Sequence, residues 1–313
     1  MKFFFKLISG LIVVVLLLSA GLVAATWEPD RSVEELAARW APPPSQFISV
    51  NGQQVHLRDE GPQDDPLPIV LLHGTSASLH TWDGWVSELS KTRRVIRFDL
   101  PGFGLTGPNQ TGDYHMDTYV DFVISVLDTM QLERVVLGGN SLGGSISWRT
   151  AAAHPQRVDK LILVDSGGYP FKADSMPVAF VISQIPVLNQ IMEFTLPRSA
   201  VEASVKDVYG DPSLVTTDLV DRYFDLALRQ GNRGALRERF AQLEYVDHSE
   251  LVQSLVQPTL VLWGAEDHLI PTSIARRFEA DLKHGELVMF DGLGHVPHEE
   301  DPAKTVAEVI RFL

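Results

Sequence analysis

Val135-Val136-Leu137-Gly138-Gly139-Asn140-Ser141-Leu142-Gly143-Gly144 runs from a short apolar stretch into a serine flanked by glycines. Gly139 to Gly143 match G-x-S-x-G, and residues 145–153 follow with helical spacing. The motif requires strand, turn and helix in that order. Its serine sits on a strained turn, so the residues two positions away must have almost no side chain. Gly143 and Gly144 also let the new helix pack close to the sheet, and its amino end favours developing negative charge. A bare G-x-S-x-G occurs by chance in loops around an unreactive serine. The strand–turn–helix context points instead to a nucleophile.

Outward from this turn the chain alternates strand and helix signals. Residues 69–72, 95–99, 135–137, 161–164, 260–263 and 287–290 are short runs rich in Val, Ile and Leu. Runs apolar on both faces belong in a parallel sheet covered by helices. Between them, residues 82–89, 119–130, 145–153, 274–282 and 305–313 have helical spacing. The alternation predicts a mostly parallel, doubly wound α/β sheet. Residues 46–50 and 55–58, separated by Asn51-Gly52, read as a hairpin. The rhythm breaks once, between residues 164 and 260. That interval is helical in character, is punctuated by Pro170, Pro177, Pro186, Pro197 and Pro212, and holds no convincing strand. Residues 168–234 are expected to be a helical cap over the carboxyl ends of the strands, leaving 46–167 and 235–313 as the core.

The chain has 313 residues, 45% of them hydrophobic, enough for one large α/β domain with an insertion or for two small domains. A net charge of −14 repels phosphate backbones and anionic headgroups, so nucleic acid is not an expected partner. With no cysteine, disulfides, thiolate catalysis and Cys-ligated metals are excluded. Lys2 and Lys6 precede an uncharged run over residues 7–25, roughly nineteen residues against the ~20 that span a bilayer. Val23-Ala24-Ala25 ends the run with small residues, so residues 1–25 read as a signal peptide or as a transmembrane anchor. Either reading predicts export: a single-pass anchor on the periplasmic side of the inner membrane, or a periplasmic or secreted protein after cleavage. Residues 26–45 read as a tether, with a short helix near Glu34–Arg39 ended by Pro42-Pro43-Pro44.

A serine hydroxyl is a weak nucleophile and needs a base. Of ten histidines, His295 stands out in Gly292-Leu293-Gly294-His295-Val296-Pro297, directly after the last strand signal. His298 reads as structural, because His298-Glu299-Glu300-Asp301 lacks the H-E-x-x-H spacing of a metal site. The base needs an orienting carboxylate. Asp267, in Gly264-Ala265-Glu266-Asp267, is the expected one, with Glu266 turned to solvent and Asp165, after residues 161–164, as the rival. A tetrahedral intermediate needs N–H donors. These are expected from Leu142 and from Thr75, in His73-Gly74-Thr75-Ser76. His73 and Asp99 read as bracing residues. No metal or cofactor is required.

Taken together, His73-Gly74, Asp99-x-Pro101-Gly102-x-Gly104, Gly139-x-Ser141-x-Gly143, Gly264-x-x-Asp267 and Gly294-His295 resemble the serine esterase and lipase branch of the α/β-hydrolase superfamily. They span residues 47–313 in that family's order, Ser then Asp then His. The resemblance implies the α/β-hydrolase fold and hydrolysis of a small-molecule or lipid ester through an acyl-serine. Leu79-His80-Thr81-Trp82 and residues 139–144 are similar to exported bacterial lipase-like hydrolases. Asn140-Ser141-x-Gly143-Gly144 also resembles hydrolases that cleave carbon–carbon bonds of ring-fission products. Those carry Gly-Pro-Gly after His-Gly, and often an aromatic after the catalytic histidine; Ser76-Ala77-Ser78 and Val296 stand here instead. Dehalogenases and epoxide hydrolases place aspartate at the elbow, where this chain has Ser141. A non-catalytic binding protein on the same fold is the third possibility.

Overall fold

In the computed structural model, residues 10, 21, 23–183, 185, 188–244 and 246–313 are described. Eight strands form one sheet in the order β1-β2-β4-β3-β5-β6-β7-β8: Gln46–Val50, Gln53–Glu60, Ile69–Leu72, Val95–Phe98, Val135–Asn140, Val158–Val164, Thr259–Gly264 and Gly285–Phe290 for β1 to β8. β1 and β2 pair antiparallel, as do β2 and β4, and every pairing from β4 onward is parallel. The hairpin turn is Asn51-Gly52, with φ of 50° and 85°. Positive φ at both positions is what a two-residue turn needs to match the strand twist.

β3, β4, β5 and β7 are buried at every position. Helices cover both faces of the sheet, which is why these strands carry no polar alternation. One apolar layer includes Trp148, Trp263 and Phe278, the other Trp82, Trp85 and Val306. The parallel strands all end at one edge of the sheet. In such sheets ligands bind beyond the carboxyl ends of the strands, and each chemistry-bearing loop of this chain leaves that edge.

Between β6 and β7 the described residues form six α-helices and one 3₁₀ turn. The helical stretch runs on to Ser254, past Gly234. Residues 26–45 hold the helix Val33–Trp40, capped by the Ser32 side chain accepting from the Glu35 N–H. This segment is not slack. Arg31, Arg39 and the Trp40 indole all donate to the Asp225 carboxylate of the helical stretch, at 2.6, 3.4 and 3.0 Å, and Trp27 stacks on Phe194. The reading of residues 1–25 falls largely outside the described residues. Among those described, no helix is long and apolar enough to cross a membrane.

Candidate active site

β5 ends at Asn140 and the next helix begins at Leu142. Ser141, between them, has φ 54° and ψ −112°, a region closed to ordinary residues unless the surroundings enforce it. The surroundings do so by contact. A Cβ on Gly139 would lie 2.3 Å from the Gly143 carbonyl carbon, and one on Gly143 would lie 2.1 Å from the Leu72 oxygen. Ser141 N–H donates to Val164 O at 3.0 Å, and its carbonyl accepts from Ser145 and Gly167 N–H. The half-buried side chain reaches a cavity walled mainly by apolar groups, among them Phe103, Phe180, Leu196, Val201 and Leu236.

His295 lines the same cavity. Its Nδ1 bonds to Asp267 Oδ2 at 2.7 Å, with both side chains buried. Asp267 Oδ1 accepts from Leu269 N–H at 2.8 Å and Ile270 N–H at 2.9 Å. With Nδ1–H donating its hydrogen bond to the carboxylate, Nε2 is the ring nitrogen left to act as a base. Close backbone approach holds this corner. A Cβ on Gly264 would lie 2.0 Å from Gly294 O, and one on Gly294 would lie 2.5 Å from the Gly210 nitrogen. His295 N–H donates to Val208 O at 2.8 Å, so the helical stretch itself helps to seat the histidine.

Thr75 and Ser76 line the cavity beside Ser141, and an added Gly74 Cβ would sit 3.2 Å from the Ser141 Cβ. Leu142 opens the helix, where N–H groups have no partner within the helix. Ser141, His295 and Thr75 therefore border one cavity, and Leu142 follows Ser141 directly in the chain. Glu266 is exposed. His73 is locked between backbone groups: its Nδ1 meets Gly74 O at 2.7 Å and its Nε2 accepts from Leu100 N–H at 2.9 Å. His298 is fully buried against Trp82, and burial pushes its pKa well down. Asp99 accepts from Leu79 and Leu105 N–H and from His56. Burial opposes its charge, but His56 and the nearby His73 and His80 together outweigh that and hold the carboxyl below the usual range.

Two contributions have no signature in the sequence. Asn140 Nδ2 donates to Val164 O at 3.2 Å and to His295 O at 3.0 Å, tying the elbow to the base. Glu300 accepts from Gly210 and Gly294 N–H, both at 2.8 Å, and burial raises its pKa. Asp165, the rival acid, lies beside Asp267. Asp165, Asp267 and His295 offer ligand atoms within 4.8 Å of one another, a spacing that could hold a cation. Asp267 and His295 are already hydrogen-bonded to each other.

The family model described as alpha/beta hydrolase fold matches residues 68–302. The chain is 28% identical over 276 residues to a 2-hydroxymuconate semialdehyde hydrolase of Pseudomonas sp. strain CF600, covering 85% of this chain and 92% of that protein. It is 28% identical over 260 residues to a 2-hydroxy-6-oxo-2,4-heptadienoate hydrolase of Pseudomonas putida, covering 80% and 88%. Among solved structures, a meta-cleavage product hydrolase from Pseudomonas fluorescens IP01 superposes with a TM-score of 0.75, at 25% identity, covering 85% of this chain and 96% of that one. None of these names describes an ester substrate.

The expectation of export is corrected. It rested on one apolar run, and no helix among the described residues is long and apolar enough to cross a membrane. The relatives named above match 80% or more of this chain, and their names give export no support. A match over residues 68–302, an eight-stranded sheet of this topology and a serine at the strand-to-helix elbow lead to one statement: the chain belongs to the α/β-hydrolase fold family.

Proposed function

We propose that this chain is a serine hydrolase in which Ser141 attacks a substrate carbonyl, His295 is the base, Asp267 orients the base, and the Thr75 and Leu142 N–H groups receive the oxyanion. The bond between His295 Nδ1 and Asp267 Oδ2, with Ser141 and His295 in the wall of one cavity, carries this reading. Attack forms the bond from Oγ to the carbonyl carbon while His295 takes the hydroxyl proton. Collapse breaks the bond to the leaving group, which receives that proton. Water, deprotonated in turn by His295, then releases the acid. The N–H donors act on charge that exists only in the intermediates, so they lower the barrier without tightening the ground state.

Two bond classes fit this sequence of steps. Cleavage of a carbon–carbon bond in a vinylogous diketo acid is the reading supported by the named relatives, and it takes precedence over the ester reading. Ester hydrolysis keeps two supports of its own. The walls around Ser141 are mostly apolar, and Val296 stands where the carbon–carbon enzymes often carry an aromatic. Helices in residues 168–234 would form the cap and set the length of substrate admitted.

Purified chain should be labelled by a fluorophosphonate at Ser141, which tests the nucleophile whatever the substrate. Turnover of a ring-fission diketo acid is then compared with a series of p-nitrophenyl esters of increasing chain length. Selective turnover of the diketo acid selects the first bond class, and selective turnover of esters the second. An unlabelled Ser141 would leave only the binding-protein possibility.

A further inference from the structure

Asp165 follows the last residue of β6 and is fully buried, with φ 43°. Oδ1 accepts from Gly264 N–H at 3.0 Å. Oδ2 has no hydrogen-bond partner among the described residues, although Asp165 offers an oxygen within 4.8 Å of ligand atoms on both Asp267 and His295. An oxygen that faces a carboxylate is stranded only if neither group carries a proton. Two carboxyls in contact and out of water do not both ionise. Asp267 accepts from two backbone N–H groups and from His295, which stabilises its charge. Asp165 accepts from one N–H, so a shared proton belongs on Asp165.

Its surroundings agree. The ionisable groups that face Asp165 are Asp267 after β7, and His295 and Glu300 after β8. The flanking strands contribute Asn140 and Leu262, neither of them ionisable. Burial, then the Asp267 charge, push the Asp165 carboxyl well above the usual range.

We propose that Asp165 is a positioning residue held as a neutral carboxylic acid, whose O–H donates to the Asp267 carboxylate and so fixes the acid that orients His295. This rests on the serine-hydrolase reading of the same site. The protonated acid supplies a donor where the two N–H groups and His295 leave an oxygen lone pair open. The donor holds Asp267 in line with the imidazole and spreads its charge, which moderates the grip on the imidazolium formed during catalysis.

The test compares the wild type, Asp165→Asn and Asp165→Val by the second-order rate of fluorophosphonate labelling at Ser141 as a function of pH. This readout needs no knowledge of the substrate. Asn keeps both an acceptor for Gly264 and a donor for Asp267. Asp165→Asn is expected to label at about the wild-type rate with the acid limb of the profile unmoved. Asp165→Val loses the donor and should label roughly tenfold more slowly or worse. Its acid limb should move up, because an Asp267 carboxylate with one fewer donor binds the imidazolium more tightly. An ionised Asp165 would behave oppositely: Asp165→Asn would remove a negative charge near His295 and move the limb down. That result, or a Val variant indistinguishable from wild type, overturns the proposal while leaving the nucleophile intact. A wild type that does not label overturns the serine-hydrolase reading instead. Should the Val variant not fold, infrared difference spectra of wild type against Asp165→Asn decide. A protonated-carboxyl band that shifts in deuterium oxide and is missing from the Asn variant is expected, and its absence from wild type refutes the neutral acid.

Discussion

The elbow region and the helical stretch between β6 and β7 are built on different principles. Around Ser141 the backbone is packed so closely that single atoms decide: Gly139, Gly143, Gly264 and Gly294 each sit where a Cβ would fall within 2.5 Å of another backbone atom. β3 and β5 expose nothing. The helical stretch is looser and leaves large apolar side chains to solvent, with Met176 42%, Ile185 40% and Phe194 48% exposed. Both regions border the same cavity. The difference assigns labour: steric closeness in the core sets the positions of reacting atoms, and the helical stretch supplies an apolar wall that can vary without moving them. The exception is the seam, where Val208 O and Gly210 N–H reach across to His295 and Glu300.

The hardest test of this division is removal of the nucleophile. Ser141→Ala is expected to abolish turnover, by a factor of roughly 10⁴ or more, with the thermal unfolding temperature little changed. Retention of even a tenth of wild-type activity would mean that the elbow does not do the chemistry. His295→Ala should match it.

Asp267→Asn comes next. It keeps the shape but leaves the imidazole in the wrong tautomer, for an expected loss of about 10³–10⁴ in kcat. Steady-state kinetics on the substrate found above would check it, and a loss smaller than that of Asp165→Asn would exchange the two acids.

At the seam, Gly294→Val would drive a side chain into the Val208–Gly210 backbone. We expect a destabilisation of about 2–4 kcal/mol by denaturant unfolding, with activity lost alongside it. If stability fell and the labelling rate of Ser141 did not, the seam would be structural only. Asn140→Ala removes the donor to His295 O and should slow labelling of Ser141 by roughly tenfold, in line with one buried hydrogen bond.

The smallest effect is expected in the helical wall. Met192→Ala and Leu236→Ala enlarge the cavity. They should shift chain-length preference by no more than about tenfold per methylene-sized change while leaving fluorophosphonate labelling as in wild type. A wall substitution that abolished labelling would show that the two regions are not separable.

Much of the core could be read along the chain because its determinants are local. The apolar runs of the sheet recur as β3 to β8, and Asn51-Gly52 alone specified the hairpin turn. The placement of Ser141, Asp267 and His295 followed from glycines beside strand ends. The helical stretch was legible in its helical character and its lack of strands, but not in its packing. Its boundaries, and the docking of residues 27–40 on Asp225, depend on partners nearly two hundred positions away, for which no period exists.

The amino-acid sequence by itself determined the strands, the elbow and the chain order of the proposed site residues, because side-chain period and the steric demand for glycine act between near neighbours. Only the tertiary structure decided what surrounds them. It set Asp165 against Asp267, so that what reads along the chain as two rival acids becomes one pair. It hung His295 between Asn140 and Val208. Such contacts join the ends of different strands, and which ends meet is settled by strand order and burial, quantities that exist only once the chain has closed on itself.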